Sequence, residues 1–430
     1  MEEVQQIYAS LQEQYPEAII RAGDLNDLAS AVLNDIEQLP IITSEIGDTW
    51  IHGTGTDPAK VFWFREMLRM AKDCPVDERE RIYDELLMIP EHTWGLDEKT
   101  FMPDHTSFRK EELIQLRQTA GAVRMEESWQ EQRNFIRKAI AALPADKQEQ
   151  ACERLNAYQR EPVHTENWEK LNAENGMITI QDWTIQLQEN GAICYLQKGE
   201  TTYADRSHLV GLAHYELFSE EDYDRYMSAY LIARPNWAIE DNKKIGMAKA
   251  IQEHQNVWPT LRGVYRKENM LLIQLEFSKE IAQAYGCPAE MEYIARFTEE
   301  RVQFDLAWWN KQACRCAEAL WFSFEPLDRL QAIGKLGGRI DVNDVCSWGN
   351  RRLHAGDGKV FFDHLALEMA DSCLLSAGGA ALLDGTNRLP SQTAHPDRVD
   401  LNLYNNIWGT NFPMWYEEDA RFRFELQLVR

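Results

Sequence analysis

The stretch Glu45-Ile-Gly-Asp48-Thr-Trp50-Ile-His52 sets two carboxylates, an imidazole and an indole within eight positions, and Gly47, Gly53 and Gly55 permit tight backbone around them. Such a set can hold a sugar or a metal. Carboxylate oxygens accept hydroxyls or ligate a cation, and an indole face stacks on the C–H side of a pyranose. The competing reading is a polar loop that caps the next helix, a duty Asp57 can perform alone. Asp48 is expected to ligate a metal or a hydroxyl, ahead of Glu45 and His52, with Trp50 as a stacking wall beside it.

Three further clusters carry similar chemistry. Pro90-Glu-His92-Thr-Trp94-Gly-Leu-Asp97 places His, Trp and Asp in a turn where small polar residues would suffice. His92 and Trp94 are expected to face a substrate, unless His92 caps the preceding helix as a cation. Ser347 to His354 and Asn402 to Tyr416 mix aromatic faces with amides and guanidinium groups, the combination that sugars meet. Arg351, His354, Asn405, Asn406 and Trp408 are expected at the substrate, against the alternative that Asn-Asn-x-Trp-Gly-Thr-Asn is a structured turn. Trp308, Trp309 and Trp321 are assigned to a core. No carboxylate pair can be named as nucleophile and acid, so the catalytic residues stay unassigned. The chain has no nucleotide-binding glycine loop, no Gly-x-Ser-x-Gly elbow and no His-Glu-x-x-His, which argues against phosphoryl transfer, acyl transfer and zincin chemistry.

The elements that must position these groups follow from periodicity. Residues 1–56 read as helix, strand, helix, strand, with apolar runs over 17–23 and 40–47. Two parallel strands neither close a barrel nor make a doubly wound sheet, so this part is expected to be the end of an α/β barrel that leans on other polypeptide. Over 57–165 the period is helical. Asp57-Pro58 opens a helix, Trp63, Met67, Met70 and Cys74 share one face, and a long helical pattern runs from Leu113 to Leu143, giving a helical bundle. From 166 to 430 the period falls to two. Ile178 to Leu187 and Ala192 to Leu196 flank a hairpin signal at Asn190-Gly191, and Phe422, Phe424, Leu426 and Leu428 alternate with polar residues. The fold class is therefore α+β multidomain: partial barrel, bundle, then a large antiparallel β-sandwich.

Composition bounds the partners. The 430 residues carry 45 Lys and Arg against 70 Asp and Glu, a net charge of −25, which repels nucleic acid and anionic lipid alike. No apolar stretch is long enough to span a membrane, and the start MEEVQQIYAS has neither the basic residues nor the apolar run of a signal peptide, so the cytoplasm is the expected location. The eight cysteines are read as reduced thiols.

The order of these parts, and the stretches EIGDTWIHGTGTD, IPEHTWGLDEKT and LNLYNNIWGTNFPMW within them, resemble an uncharacterised group related to glycoside hydrolase family 38, the α-mannosidases. The resemblance covers the chain but only the C-terminal part of that architecture, with 166–430 similar to a galactose-mutarotase-like sandwich. It implies a retaining glycosidase, whose two carboxyl groups stand about 5 to 5.5 Å apart. It also implies a metal, zinc or calcium, with Asp48 where the family carries a histidine shortly before a Trp. The family's nucleophile and its His-x-Asp motif belong to a barrel half preceding residue 1. Glycosidic hydrolysis is thus expected only together with that half, which a separate gene could encode, and this chain alone is expected to be silent. The alternative is a non-catalytic carbohydrate-binding or scaffold protein.

Overall fold

The computed structural model describes residues 2–46, 49–90, 93–172, 176–345, 351–386 and 388–429. Two compact units divide the chain, Met1–Ser44 and Glu45–Arg430.

The opening unit holds the helices Glu2–Gln14 and Leu25–Leu33. Asp24 caps the second by accepting from the amides of Asn26 and Asp27, and Asp27 returns the bond to the Asp24 amide. The runs 17–23 and 40–46 form no strand, contrary to the sequence expectation. A strand needs a neighbour to take its amides, and none of the described residues of this unit is extended alongside them. The unit leaves its apolar side chains in solvent: Ile19 is 93% exposed, Ile41 89% and Leu25 82%.

In the second unit, the Asp57 carboxylate accepts from the Lys60 amide and Pro58 takes the first helical position of Pro58–Lys72. The helices Val76–Leu86, Ala120–Ala141 and Ala145–Asn156 pack against it. Met67, Met70, Ile82, Leu86, Ile136 and Leu143 form their shared core, with Trp63 and Cys74 half-buried at its edge. The pattern from Leu113 to Leu143 is two helices, not one. Thr119 caps Ala120–Ala141 after the short helix Lys110–Leu116, and Leu113, Leu116 and Trp129 pack instead against Met414 and Trp415.

Two antiparallel sheets of ten strands each make the sandwich. The first runs, in spatial order, Glu169–Leu171, Thr260–Lys267, Met270–Glu276, Glu290–Phe297, Arg301–Trp309, Ala420–Leu428, Leu365–Met369, Lys359–Phe362, Leu330–Lys335 and Gly338–Asp341. The second runs Leu353–Ala355, Leu374–Ala377, Val399–Asn405, Glu318–Phe324, Val210–Leu217, Ile193–Lys198, Trp183–Leu187 and Ile178–Ile180, with Thr201–Ala204 and Gln255–Val257 paired at its side. Between the sheets Phe304, Phe322, Phe324 and Phe424 meet edge to face or stacked, with centroids 5.2 to 6.1 Å apart. Each such pair adds about 0.5–1.5 kcal/mol beyond the area it buries. Trp308 and Trp321 are fully enclosed, while Trp309 is half-buried and donates its indole N–H to the Arg160 carbonyl.

The Asn190-Gly191 turn joins Trp183–Leu187 to Ile193–Lys198 as the sequence predicts. Gly191 sits at φ +79°, and a Cβ there would come within 2.2 Å of Leu275, so backbone and packing both demand glycine. The expected strand from Ile178 to Leu187 breaks at Gln181, whose φ of 54° turns the chain. No helix among the described residues is long and apolar enough to cross a membrane.

Candidate functional site

Three stretches distant in sequence interlock where the helical part meets the second sheet. Thr49–Gly55 winds as a 3-10 turn ahead of the helix Pro58–Lys72. Its glycines admit the rest: a Cβ on Gly53 would lie 2.2 Å from the Phe412 ring, and one on Gly55 2.3 Å from the Asn405 amide nitrogen. The Trp94 amide donates to the Asn411 carbonyl at 3.0 Å and the Glu98 amide to the Thr410 carbonyl at 3.0 Å. The segments 49–57, 94–98 and 402–412 are thereby tied into one junction.

Aromatic rings fill that junction. Trp50 lies 5.9 Å from Trp408 and 5.6 Å from Phe412, His52 stacks on Trp408 at 5.1 Å, and Trp94 meets the edge of Phe412. The Lys60 ammonium stands 3.1 Å over the Trp94 ring, a cation–π contact deep in the fold. Tyr226 closes the far side, its hydroxyl 2.6 Å from that of Thr49. Among the described residues neither His52 ring nitrogen has a hydrogen-bond partner, and the Trp408 indole N–H has none. Burial holds the His52 pKa down to about 3, so the ring is neutral. Trp50 is only partly buried, whereas Trp94, Trp408 and Phe412 are enclosed.

A second group lies at the start of the unit. Glu45 pairs with Lys335, and its other oxygen meets His354 Nδ1 at 2.8 Å. Burial, with the charge of Lys335 nearby, lowers the His354 pKa to about 3. The neutral ring therefore donates through Nδ1 to Glu45, and its buried Nε2 is left without a hydrogen-bond partner among the described residues. Asp57, the last residue of the motif, is gripped by Arg133 through two bonds of 2.7 and 2.8 Å. Burial pushes its carboxyl up, but the charges of Arg133 and Lys60 outweigh that and hold it below the usual range.

The other residues singled out in the sequence divide clearly. Asp48 and His92 lie outside the described residues. Asn405 is fully buried; its amide donates to the His52 carbonyl and to Asn402, and its oxygen accepts from the Ile407 amide. Asn406 is equally buried and donates to the carbonyls of Cys314, Cys316 and Met414 while accepting from the Glu318 amide. Both amides expected at a substrate thus spend their hydrogen-bonding capacity on this chain's own backbone and on Asn402. Trp408 is a buried wall behind Trp50 and His52, not an open platform. Arg351 is partly buried, while its neighbour Arg352 binds Asp384 and the carbonyls of Ala377, Gly378 and Gly379. Phe412, Tyr226 and Lys335 were not singled out by sequence. Phe412 lies inside the stretch Asn402 to Tyr416 that the sequence marks as a whole, and nothing local marks the other two.

No three His, Cys, Asp or Glu side chains converge as a metal group among the described residues. A zinc or calcium ion at Asp48 would draw on at most two such side chains of the described residues, with water or substrate supplying the rest of its coordination.

No curated protein matches this chain. Among solved structures it is similar to a galactose mutarotase-like protein from Lactobacillus casei, at 12% identity and a TM-score of 0.30 over 59% of this chain and 100% of that one. It is similar to a 4-alpha-glucanotransferase from Thermococcus litoralis at 12% identity and a TM-score of 0.31, over 86% of this chain and 50% of that one. A putative aldose 1-epimerase from Escherichia coli K12 is similar at 10% identity and a TM-score of 0.27, over 58% of this chain and 97% of that one. Residues 54–303, more than half of the chain and including the Gly55 to Trp94 side of the junction, match the family described as a domain of unknown function, DUF5054, and the chain belongs to that family.

Proposed function

We propose that this chain is the sugar-contacting C-terminal region of an α-mannosidase-like glycoside hydrolase, working on glycosidic bonds together with a barrel half that carries nucleophile and acid. The observation that carries the reading is the junction itself, in which the stretches that resemble the group related to family 38 interlock around Trp50, a partly open ring two positions after Asp48 in the sequence. An indole in that position offers a face to a sugar, and the buried rings behind it fix its angle.

The carboxylates of the site support a division of labour. Glu45 is committed to Lys335 and His354, and Asp57 to Arg133, so neither is free to attack an anomeric carbon or to protonate a leaving oxygen. The exposed apolar side chains of the unit Met1–Ser44 are what a barrel half would cover. The same reading gives Asp48 a metal or a sugar hydroxyl, and His92 a place beside the substrate.

The test is turnover of an aryl α-mannoside. The purified chain alone is expected to show none. Combined with a polypeptide bearing the His-x-Asp barrel start, it is expected to gain activity that Trp50→Ala weakens mainly through KM. Metal-dependent turnover by this chain alone overturns the proposal.

A further inference from the structure

The first sheet has a face turned away from the second, and there the register lines up a row of polar side chains. Arg296 opposes Gln303, Gln303 opposes Glu425, Glu425 opposes Glu368, and Glu368 opposes Lys359, one from each of five adjacent strands. Four strand spacings make that row roughly 19 Å long. Over it stands the helix Pro58–Lys72, whose Arg65, Arg69 and Lys72 recur at helical spacing, and between helix and sheet lies a cleft of about 950 Å³.

The groups in this cleft are arranged as a sheet alone would not arrange them. Glu425 and Glu368 face each other directly across neighbouring strands, a like-charge pair that disfavours the pairing. Glu425 accepts from Arg301 at 2.9 Å, from Gln303 at 2.7 Å and from Gln427, bonds that outweigh burial and hold its carboxyl below the usual range, and Glu368 accepts from Lys359 at 2.8 Å. Lys72 and Arg296, at the helix and sheet rims, have no ion-pair partner among the described residues and are exposed. Arg65 anchors the wall through the carbonyls of Ala370, Met369 and Asp357 at 2.9, 2.9 and 3.2 Å. Met270, Ile294 and Phe361 lie between the charges as half-buried apolar patches.

We infer that this cleft binds an uncharged oligosaccharide laid across the strands. Each sugar hydroxyl both donates and accepts, and a row that alternates guanidinium, amide, carboxylate and ammonium meets that need along its whole length, with C–H faces on the apolar patches. A length near 19 Å suits a chain of sugars and exceeds a single ring. The cleft's lining holds six cationic side chains against four carboxylates, so the overall charge of −25 opposes a polyanion while the local charge does not, and a polyanion is the rival ligand the test includes. The inference rests on the carbohydrate reading above but not on the junction, and it assigns the sheet a site distinct from Trp50.

Titration calorimetry of the whole chain with mannotetraose, maltotetraose and cellotetraose tests it. At least one is expected to bind, and Glu368→Ala and Gln303→Ala each to weaken that binding at least tenfold. Glu368→Ala should leave the thermal midpoint unchanged or raised, since it relieves the like-charge pair, and Trp50→Ala should leave the binding in place. The inference is overturned if none of the three binds, if both sheet variants bind undiminished, or if tetragalacturonate binds more tightly than every neutral chain. Binding that Trp50→Ala abolishes and Glu368→Ala spares would overturn this site while leaving the junction reading intact. Mannoside turnover with the barrel half, without tetrasaccharide binding to the chain alone, would do the same.

Discussion

The side-chain amide of Asn405 donates to the main-chain carbonyl of His52 at 2.9 Å, joining two stretches 353 residues apart. Its second donor goes to Asn402 and its oxygen takes the Ile407 amide, so one buried side chain fixes the 3-10 turn, the end of a strand and the loop that follows. Trp50 owes its orientation to that turn.

Asn405→Ala should therefore cost more than one hydrogen bond. It strands the His52 carbonyl and the Ile407 amide in a dry interior, each at about 1–3 kcal/mol. Urea unfolding is expected to show a lower midpoint at unchanged m-value. An unaltered midpoint would mean that water reaches the junction and replaces the amide.

At Gly53 the conflict is steric. A methyl group there would overlap the Phe412 ring carbon 2.2 Å away, and the ring is enclosed by Trp50 and Trp94. Gly53→Ala is expected to destabilise by about 1–3 kcal/mol, the usual range for overpacking. Adding Phe412→Leu should recover part of the loss, because the smaller side chain vacates the space. If the double variant is as unstable as the sum of the two single ones, Phe412 is not what excludes the methyl group.

Behind the junction Lys311 and Glu318 form an ion pair at 2.7 Å with both side chains wholly buried. Glu318 also takes the Tyr215 hydroxyl and the Gly286 amide, and Lys311 donates to the Tyr416 carbonyl. Removing one charge leaves the other without compensation, so Lys311→Met should cost about 3–5 kcal/mol. Lys311→Met with Glu318→Gln should cost less than Lys311→Met alone. A double-mutant cycle on denaturation free energies checks the coupling, and strict additivity would show that the two charges do not depend on each other.

What the sequence disclosed depended on whether a residue's duty is local. The Asn190-Gly191 hairpin, the Asp57-Pro58 helix start and the alternation of the last strand are written in neighbouring residues, and each was legible. The strands expected at 17–23 and 40–47 were not, because an apolar run becomes a strand only when another strand receives its amides. At the site, residue chemistry named Trp50, Trp94, Asn405, Asn406 and Trp408 from separate clusters, together with Asp48, His92, Arg351 and His354, and the structure sets those five at or beside one junction. It misjudged which of them are open. An amide that binds a sugar and an amide that staples a loop are the same residue type, and only the long-range partners of Asn406 tell them apart. The row from Arg296 to Lys359 was invisible for the same reason, since register across five strands has no signature in any one of them.

Acid should weaken the fold well above the range in which ordinary carboxylates titrate. His52, His214 and His354 are buried, and burial lowers each from 6.5 to about 3. The unfolded chain takes up their protons below pH 6.5 while the folded chain refuses them, so their contribution is complete above 6.5 and is lost as pH falls, at roughly 1 kcal/mol per histidine per pH unit. Glu216 opposes them. Burial raises it from 4.5 to about 7, so its contribution is fullest below 4.5 and is lost as pH rises through 7. His254, raised by its bond to Asp222, is protonated in both states below 6.5 and adds no slope there. Burial raises Glu98 as well, so three histidines against two carboxylates leave a net uptake of at least about one proton on unfolding between pH 6.5 and 4.5. Urea midpoints measured at steps across that window should fall with the matching slope. His214→Gln should reduce the slope by about one proton whatever it does to the midpoint itself. A slope that His214→Gln leaves untouched would mean that this ring accepts its proton in the folded protein.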